Sequence, residues 1–197
     1  MANEKELKRA VAAHDEEWLP LKIRRPRAED IRGIADLVRA CEPFLTAHRS
    51  YILWMYIQYC GDTCAVAELD GEIVGWCSMI PVSGAKYFLH QLGVAPGARR
   101  RGIAESLFLY LLKKLKEQRA AFDLEFTADR RNHAVLNLNR RIADSAGMRL
   151  MKKPDVLHLV EESEEDLYIM TPVDQTSAPQ RAPRLPNQSR LVDGVKL

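Results

Sequence analysis

Residues 92–104 hold the densest concentration of chemistry in the chain. They read Leu92-Gly93-Val94-Ala95-Pro96-Gly97-Ala98-Arg99-Arg100-Arg101-Gly102-Ile103-Ala104. An apolar stretch ends at Val94 and a Pro/Gly turn follows. Three arginines, a glycine and a small residue then open a helical pattern. The first amides of a helix have no internal acceptor, and the helix dipole adds partial positive charge there. Gly102 and Ala104 keep side chains away, so the backbone can approach phosphate oxygens. Arg99, Arg100 and Arg101 add charge and forked donors. This chemistry suits a diphosphate. A plain strand-to-helix turn with solvated arginines fits the same residues.

The turn needs a strand before it and a helix after it. Tyr87–Val94 reads as the strand. Gly102 to about Arg119 reads as the helix, with Leu107, Leu111, Leu112 and Leu115 on one face. Upstream, Lys22–Arg25 is an expected strand. A helix opened by Glu29 and Asp30 carries Ile31, Ile34, Leu37 and Val38 at helical spacing. A second helix is expected from about Thr46 to Tyr59. Cys64–Glu68 and Glu72–Met79 flank Asp70-Gly71, a strong hairpin signal. Downstream come a strand at Asp123–Thr127 and a helix at Asn132–Ser145. Closing strands are expected at Met148–Met151, Val156–Val160 and Leu167–Met170. Antiparallel hairpins with late helices predict an α+β or mixed sheet, not a doubly wound parallel one.

The chain has 197 residues, 47% hydrophobic and 28% charged, which fits one globular domain with tails. We divide it into a helical extension at 1–20, a main domain at 21–172 and a flexible tail at 173–197. A net charge of +2 is too mild to argue for nucleic acid, and no aromatic platform accompanies Arg99–Arg101. The four cysteines are Cys41, Cys60, Cys64 and Cys77, with no histidine at zinc-ligand spacing, so no metal site is expected. No apolar run approaches the roughly 18 residues that span a membrane. Residues 1–16 are charged throughout, unlike a signal peptide. A cytoplasmic protein with reduced thiols is the simplest expectation.

Arg99-Arg100-Arg101-Gly102-Ile103-Ala104 resembles the R-x-x-G-x-A acetyl-CoA signature of the GNAT superfamily of N-acetyltransferases. Val94 and Pro96 stand where that family commonly has V-x-P. Asn132 and Asn139 match the two asparagines of its N-x-x-M-x-x-I-N form. The resemblance spans about residues 21–150. It implies a mostly antiparallel central sheet flanked by helices, with acetyl-CoA as cosubstrate. It also implies that the backbone of residues 99–104 holds the pyrophosphate. The strand at Leu92, Gly93 and Val94 would pair with the pantetheine arm, and an amide near Leu92 would stabilise the oxyanion. Asn132 and Asn139 would face the cofactor, although an N-cap and a solvated helix residue are the plainer readings. The family's tyrosine acid has no clear counterpart here.

Ser50-Tyr51, Asp62-Thr63-Cys64, Asp70-Gly71-Glu72-Ile73-Val74-Gly75-Trp76 and Gln91 further resemble the diaminobutyrate acetyltransferases of ectoine synthesis. Thr46, His48 and Arg49 depart from that pattern, as does His90 where a Trp is usual. The acceptor implied is a primary amine of a small molecule or amino acid. A peptide acceptor and a non-catalytic acyl-CoA-binding module are the alternatives, and a homodimer is compatible with either.

Acyl transfer to an amine needs a group to take the amine's proton, since a free ammonium has a pKa near 10.4. Glu125 is one candidate, on the short strand beside the cofactor strand. A surface carboxylate is its other reading. His90 is the second, because imidazole titrates near neutrality. Strand alternation places it on the face of Leu92 and Val94. His48, Arg49 and Tyr51 would wall the acceptor site, or else solvate and pack the second helix.

Overall fold

The computed structural model describes residues 21–154 and 165–173. The expectations for residues 1–20, for a strand at Val156–Val160 and for the tail beyond Val173 lie outside the described residues. Seven strands form one sheet in the order β1-β2-β3-β4-β5-β7-β6. They are β1 (Lys22–Arg24), β2 (Cys64–Leu69), β3 (Glu72–Ser83), β4 (Lys86–Val94), β5 (Asp123–Asp129), β6 (Met148–Lys152) and β7 (Glu165–Pro172). Every neighbouring pair is antiparallel except β4 and β5. The helices are α1 (Ile31–Arg39), α2 (Ser50–Cys60), α3 (Ile103–Gln118) and α4 (His133–Ala146). This is the mixed, mostly antiparallel architecture expected.

The sheet buries both faces. On one side Leu107, Phe108, Leu111 and Leu115 of α3 and Ile142 of α4 meet Ala65, Ala67, Cys77, Leu124 and Phe126. On the other, Ile34, Leu37, Val38, Leu53 and Ile57 of α1 and α2 cover Cys64, Val66 and Trp76. Alternation along β2 produces this split, because successive side chains point to opposite faces. The α3 side is lined by small residues so that the helix can sit close. A Cβ on Gly75 would lie 2.8 Å from Leu107 and 3.0 Å from Ile103.

Local signals hold where they are strong. Asp70 and Gly71 both have positive φ, 54° and 80°, as a two-residue hairpin turn requires. Asp30 ends the 3-10 turn before α1, accepting the Arg27 amide at 2.7 Å and both ends of the Arg24 guanidinium at 2.7 and 2.8 Å. Arg24 also reaches Glu68 at 2.7 Å, which ties β1 and this turn to β2.

One helix starts later than its pattern predicts. A helix from Thr46 would use the Thr46 carbonyl for its first internal bond. That carbonyl instead accepts the Gln91 side-chain amide at 2.9 Å, while Gln91 Oε1 takes the Trp76 indole N–H at 3.1 Å. Residues 46–49 are thereby held as a loop against β4, and α2 begins at Ser50.

Candidate active site

The parallel strands β4 and β5 part company. They pair from Lys86↔Asp123 to Leu89↔Phe126 and no further, although β4 runs on to Val94 and β5 to Asp129. A bulge causes the parting. Ser78 pairs with Gln91 and Met79 with Leu89, so His90 has no residue opposite it in β3. A bulge bends its strand and sharpens its twist. The result is a cleft of about 650 Å³ between the two strand ends. That volume lies within the ~300–1,000 Å³ usual for small-molecule sites.

The turn after β4 closes one end of the cleft. Arg100 and Gly102 both adopt positive φ, 64° and 76°, and Gly102 caps α3. Ser106 N–H bonds the Gly102 carbonyl at 2.9 Å. The amides of Ile103, Ala104 and Glu105 precede that bond and are those a helix start leaves without an internal acceptor. A Cβ on Gly102 would meet nothing within 4 Å, so the backbone there lies open. Gly102, Ile103, Ala104 and Glu105 all line the cleft.

The arginines divide. Arg99 donates from Nε to the Val94 carbonyl at 3.1 Å and from Nη2 to Cys41 Sγ at 3.7 Å. It braces the end of β4 against the end of α1, so part of its expected donor fork is already committed. Arg100 lines the cleft beside it, and Arg101 is not among the lining residues.

The first half of α4 forms the opposite wall. Asn132 lines the cleft and caps the helix, its Oδ1 accepting the Val135 amide at 3.2 Å. Asn139 also lines the cleft but is fully buried, not solvated as its plainer reading held. Neither Oδ1 nor Nδ2 of Asn139 has a partner among the described residues. An unpaired buried amide costs on the order of 1–3 kcal/mol. A ligand with donors and acceptors in the cleft removes that cost.

The bulge also overturns the strand parity of His90. Leu92 and Val94 pack with the α3 side. His90 lies on the α2 side instead, its ring 5.1 Å from that of His48 and 5.1 Å from that of Tyr56. Gln91 and Gly93 also face α1 and α2, as their contacts with Trp76 and Leu37 require. Burial and the neighbouring His48 push the His90 pKa down to about 4, and its buried Nδ1 has no partner among the described residues. The imidazole is therefore neutral near pH 7.

This shift has a stability consequence. Between about pH 4 and 6.5 the unfolded chain binds the His90 proton and the fold resists it. The contribution is complete above 6.5 and is lost as pH falls toward 4. At 1.36 kcal/mol per pKa unit, less an allowance for partial solvent contact, it amounts to roughly 2 kcal/mol. Urea melts of His90→Phe should lose about that much of the wild-type rise in stability between pH 4.5 and 7. Parallel pH profiles for the two proteins would contradict the buried, neutral imidazole.

Glu125 sits on the same sheet face, opposite Phe88. Its Oε1 accepts Lys153 at 2.7 Å and Lys86 at 3.2 Å. Burial raises its proton affinity, but the bonds from Lys153 and then Lys86 outweigh that, and its pKa falls below the usual carboxylate value. It is not among the cleft-lining residues. Of the expected acceptor wall, His48 touches the site through His90, whereas Arg49 and Tyr51 are exposed outside the cleft lining. Sequence reasoning missed Phe44, Leu45, Thr127, Asp129 and Glu165, which do line it. Thr127 was accessible, since it alternates with Phe126 just beyond Glu125. Buried Cys64, its thiol pushed up to about 12, and fully buried Cys77 act as packing residues, not nucleophiles. No helix of the described residues is long and apolar enough to cross a membrane.

Known proteins share this arrangement. The sequence profile of the Acetyltransferase (GNAT) family matches residues 31–141. The L-2,4-diaminobutyric acid acetyltransferase of Halomonas elongata is 38% identical over 138 residues, covering 68% of this chain and 70% of that protein. The protein of the same name from Vibrio cholerae is 30% identical over 131 residues, 66% of this chain and 75% of that one. Among solved structures, diaminobutyrate acetyltransferase from Paenibacillus lautus, in complex with L-2,4-diaminobutyric acid and coenzyme A, is similar with a TM-score of 0.68. It is 25% identical, over 78% of this chain and 95% of that one. The strand, turn and helix that carry the signature thus sit in the fold that signature implies, and the chain belongs to the GNAT acetyltransferase family, as an N-acetyltransferase that draws its acetyl group from acetyl-CoA.

Proposed function

We propose that this enzyme acetylates a primary amine of a small amino acid of the L-2,4-diaminobutyrate type. The observation that carries the reading is the 38% identity to a diaminobutyrate acetyltransferase over 138 residues, 68% of this chain. The four free cysteines support a reducing, cytoplasmic setting.

The cleft fits coenzyme A on two features of this chain. The open backbone at Gly102, Ile103 and Ala104 suits a diphosphate, with Arg100 adding charge. The unpaired amide of Asn139 needs a polar ligand group, which an amide-bearing arm along Leu92, Gly93 and Val94 supplies. The bound thioester supplies an activated acetyl group. A backbone N–H near Leu92 would polarise its carbonyl.

The acceptor approaches from the α2 side. His90 marks the point where the strands part, with its ring between His48 and Tyr56. As a neutral imidazole it takes the amine's proton, directly or through water, and passes it to solvent. Its proton affinity lies well below that of an amine, so the proton must pass on to solvent at once. Glu125 lies outside the cleft lining, its Oε1 held by two ammonium groups.

Thiol release from acetyl-CoA across an amine panel tests this reading. L-2,4-Diaminobutyrate, ornithine and lysine should give higher kcat/KM than peptides with free N-termini. Turnover of peptides alone would refute a small amino-acid acceptor.

A further inference from the structure

The Glu125 cluster is more elaborate than an ion pair needs. Both Lys86 and Lys153 bind the same oxygen, Oε1. Oε2 accepts no bond among the described residues. Two ammonium groups against one carboxylate leave one surplus positive charge. The side chain of Glu125 is only 13% exposed, and those of Lys153 and Lys86 are 33% and 36% exposed. The carboxylate is thus shielded while both ammonium groups keep about a third of their surface in contact with water.

The cluster also lies beside the reaction site. Leu124, Phe126 and Ala128 point into the α3 core. Glu125 and Thr127 therefore point to the face that His90 occupies. His90 and Thr127, both cleft-lining, are each two residues beyond the Phe88↔Glu125 pair. Two residues along a strand span about 7 Å, the length of a small amino acid. Lys153 reaches Glu125 across β7, its own backbone amide fixed to the Leu167 carbonyl at 2.8 Å.

We propose that Lys86, Glu125 and Lys153 recognise the α-amino-carboxylate end of the acceptor, with Glu125 Oε2 accepting from its α-ammonium and Lys153 holding its carboxylate. This inference rests on the amino-acid acceptor of the preceding section. An amino-carboxylate matches an acceptor oxygen that no described residue uses, beside two ammonium groups that share the other. A diamine without a carboxylate meets the same surplus charge as repulsion. The distal amine is left to reach the acetyl group near His90. Glu125 is in this account a binding residue and not the proton acceptor.

The test compares L-2,4-diaminobutyrate with 1,3-diaminopropane, which lacks only the carboxylate. In Lys153→Met the ratio of their kcat/KM values should fall about tenfold, the loss expected for one charge-assisted hydrogen bond. Lys153→Arg should restore most of it. Glu125→Gln should raise KM for the amino acid with kcat little changed. An acetyl-CoA-induced rise in melting temperature verifies that each variant is folded. An unchanged ratio in folded Lys153→Met, or a loss of kcat at constant KM in Glu125→Gln, would overturn the proposal. If the wild-type enzyme prefers another amino acid, the ratio is taken with that acid and its decarboxylated amine. Acceptor identity and cluster role are then read separately. Wild-type preference for carboxylate-free amines over every amino acid would also overturn it.

Discussion

Gly102→Val is expected to fold yet gain no stability from acetyl-CoA. Its φ of 76° lies in the left-handed region, where a β-branched residue is strained by roughly 1–3 kcal/mol. The added side chain meets no protein atom, because nothing lies within 4 Å of the position its Cβ would take. The fold therefore pays in backbone strain and not in a clash. Relief of that strain rotates φ and turns the amides of Ile103 and Ala104 away from a common target. If it does not rotate, the side chain fills the open space over those amides. Either outcome removes a diphosphate site. In the wild type, ligand at a hundred times its dissociation constant adds about 2.7 kcal/mol to stability. Thermal melts with and without millimolar acetyl-CoA should show that increment for the wild type and none for Gly102→Val. An equal increment in both would mean that the diphosphate sits elsewhere.

Asn139→Leu should do two opposite things. Leucine has nearly the same shape, and the site is wholly buried on the inner face of α4, near Ile142. Replacing an unpaired amide by an apolar group of equal size stabilises the ligand-free protein by about 1–3 kcal/mol. The same change deletes the donor and acceptor offered to the cofactor. KM for acetyl-CoA should rise about tenfold, the worth of one or two buried hydrogen bonds. Urea melts and initial rates on one preparation measure both effects. A destabilised variant with unchanged KM would show Asn139 to be a structural residue.

What the sequence revealed of this site depends on distance along the chain. Residues 92–104 are contiguous, so strand, turn and helix start could be recognised together. Asp70-Gly71 was equally local. Asn132 and Asn139 lie seven positions apart on one helix, close enough for one face. The bulge at His90 was not legible. It arises because β3 and β4 carry unequal numbers of residues between Ser78↔Gln91 and Met79↔Leu89, and no letter within β4 marks it. One extra residue moved His90 to the opposite face from Leu92. The α2 start was hidden for a similar reason, since Gln91 takes the Thr46 carbonyl from 45 positions away. The lysines on Glu125 come from positions 39 and 28 residues distant, on β4 and just beyond β6. Only pairing in the sheet brings them together.

In the proposed function the turn between β4 and α3 holds coenzyme A. Titration of the ¹⁵N-labelled protein with coenzyme A, read amide by amide, tests this most directly. The backbone resonances of Gly102, Ile103 and Ala104 should shift most, together with the side-chain amide of Asn139. Saturating binding that leaves those four signals in place and moves others would contradict it.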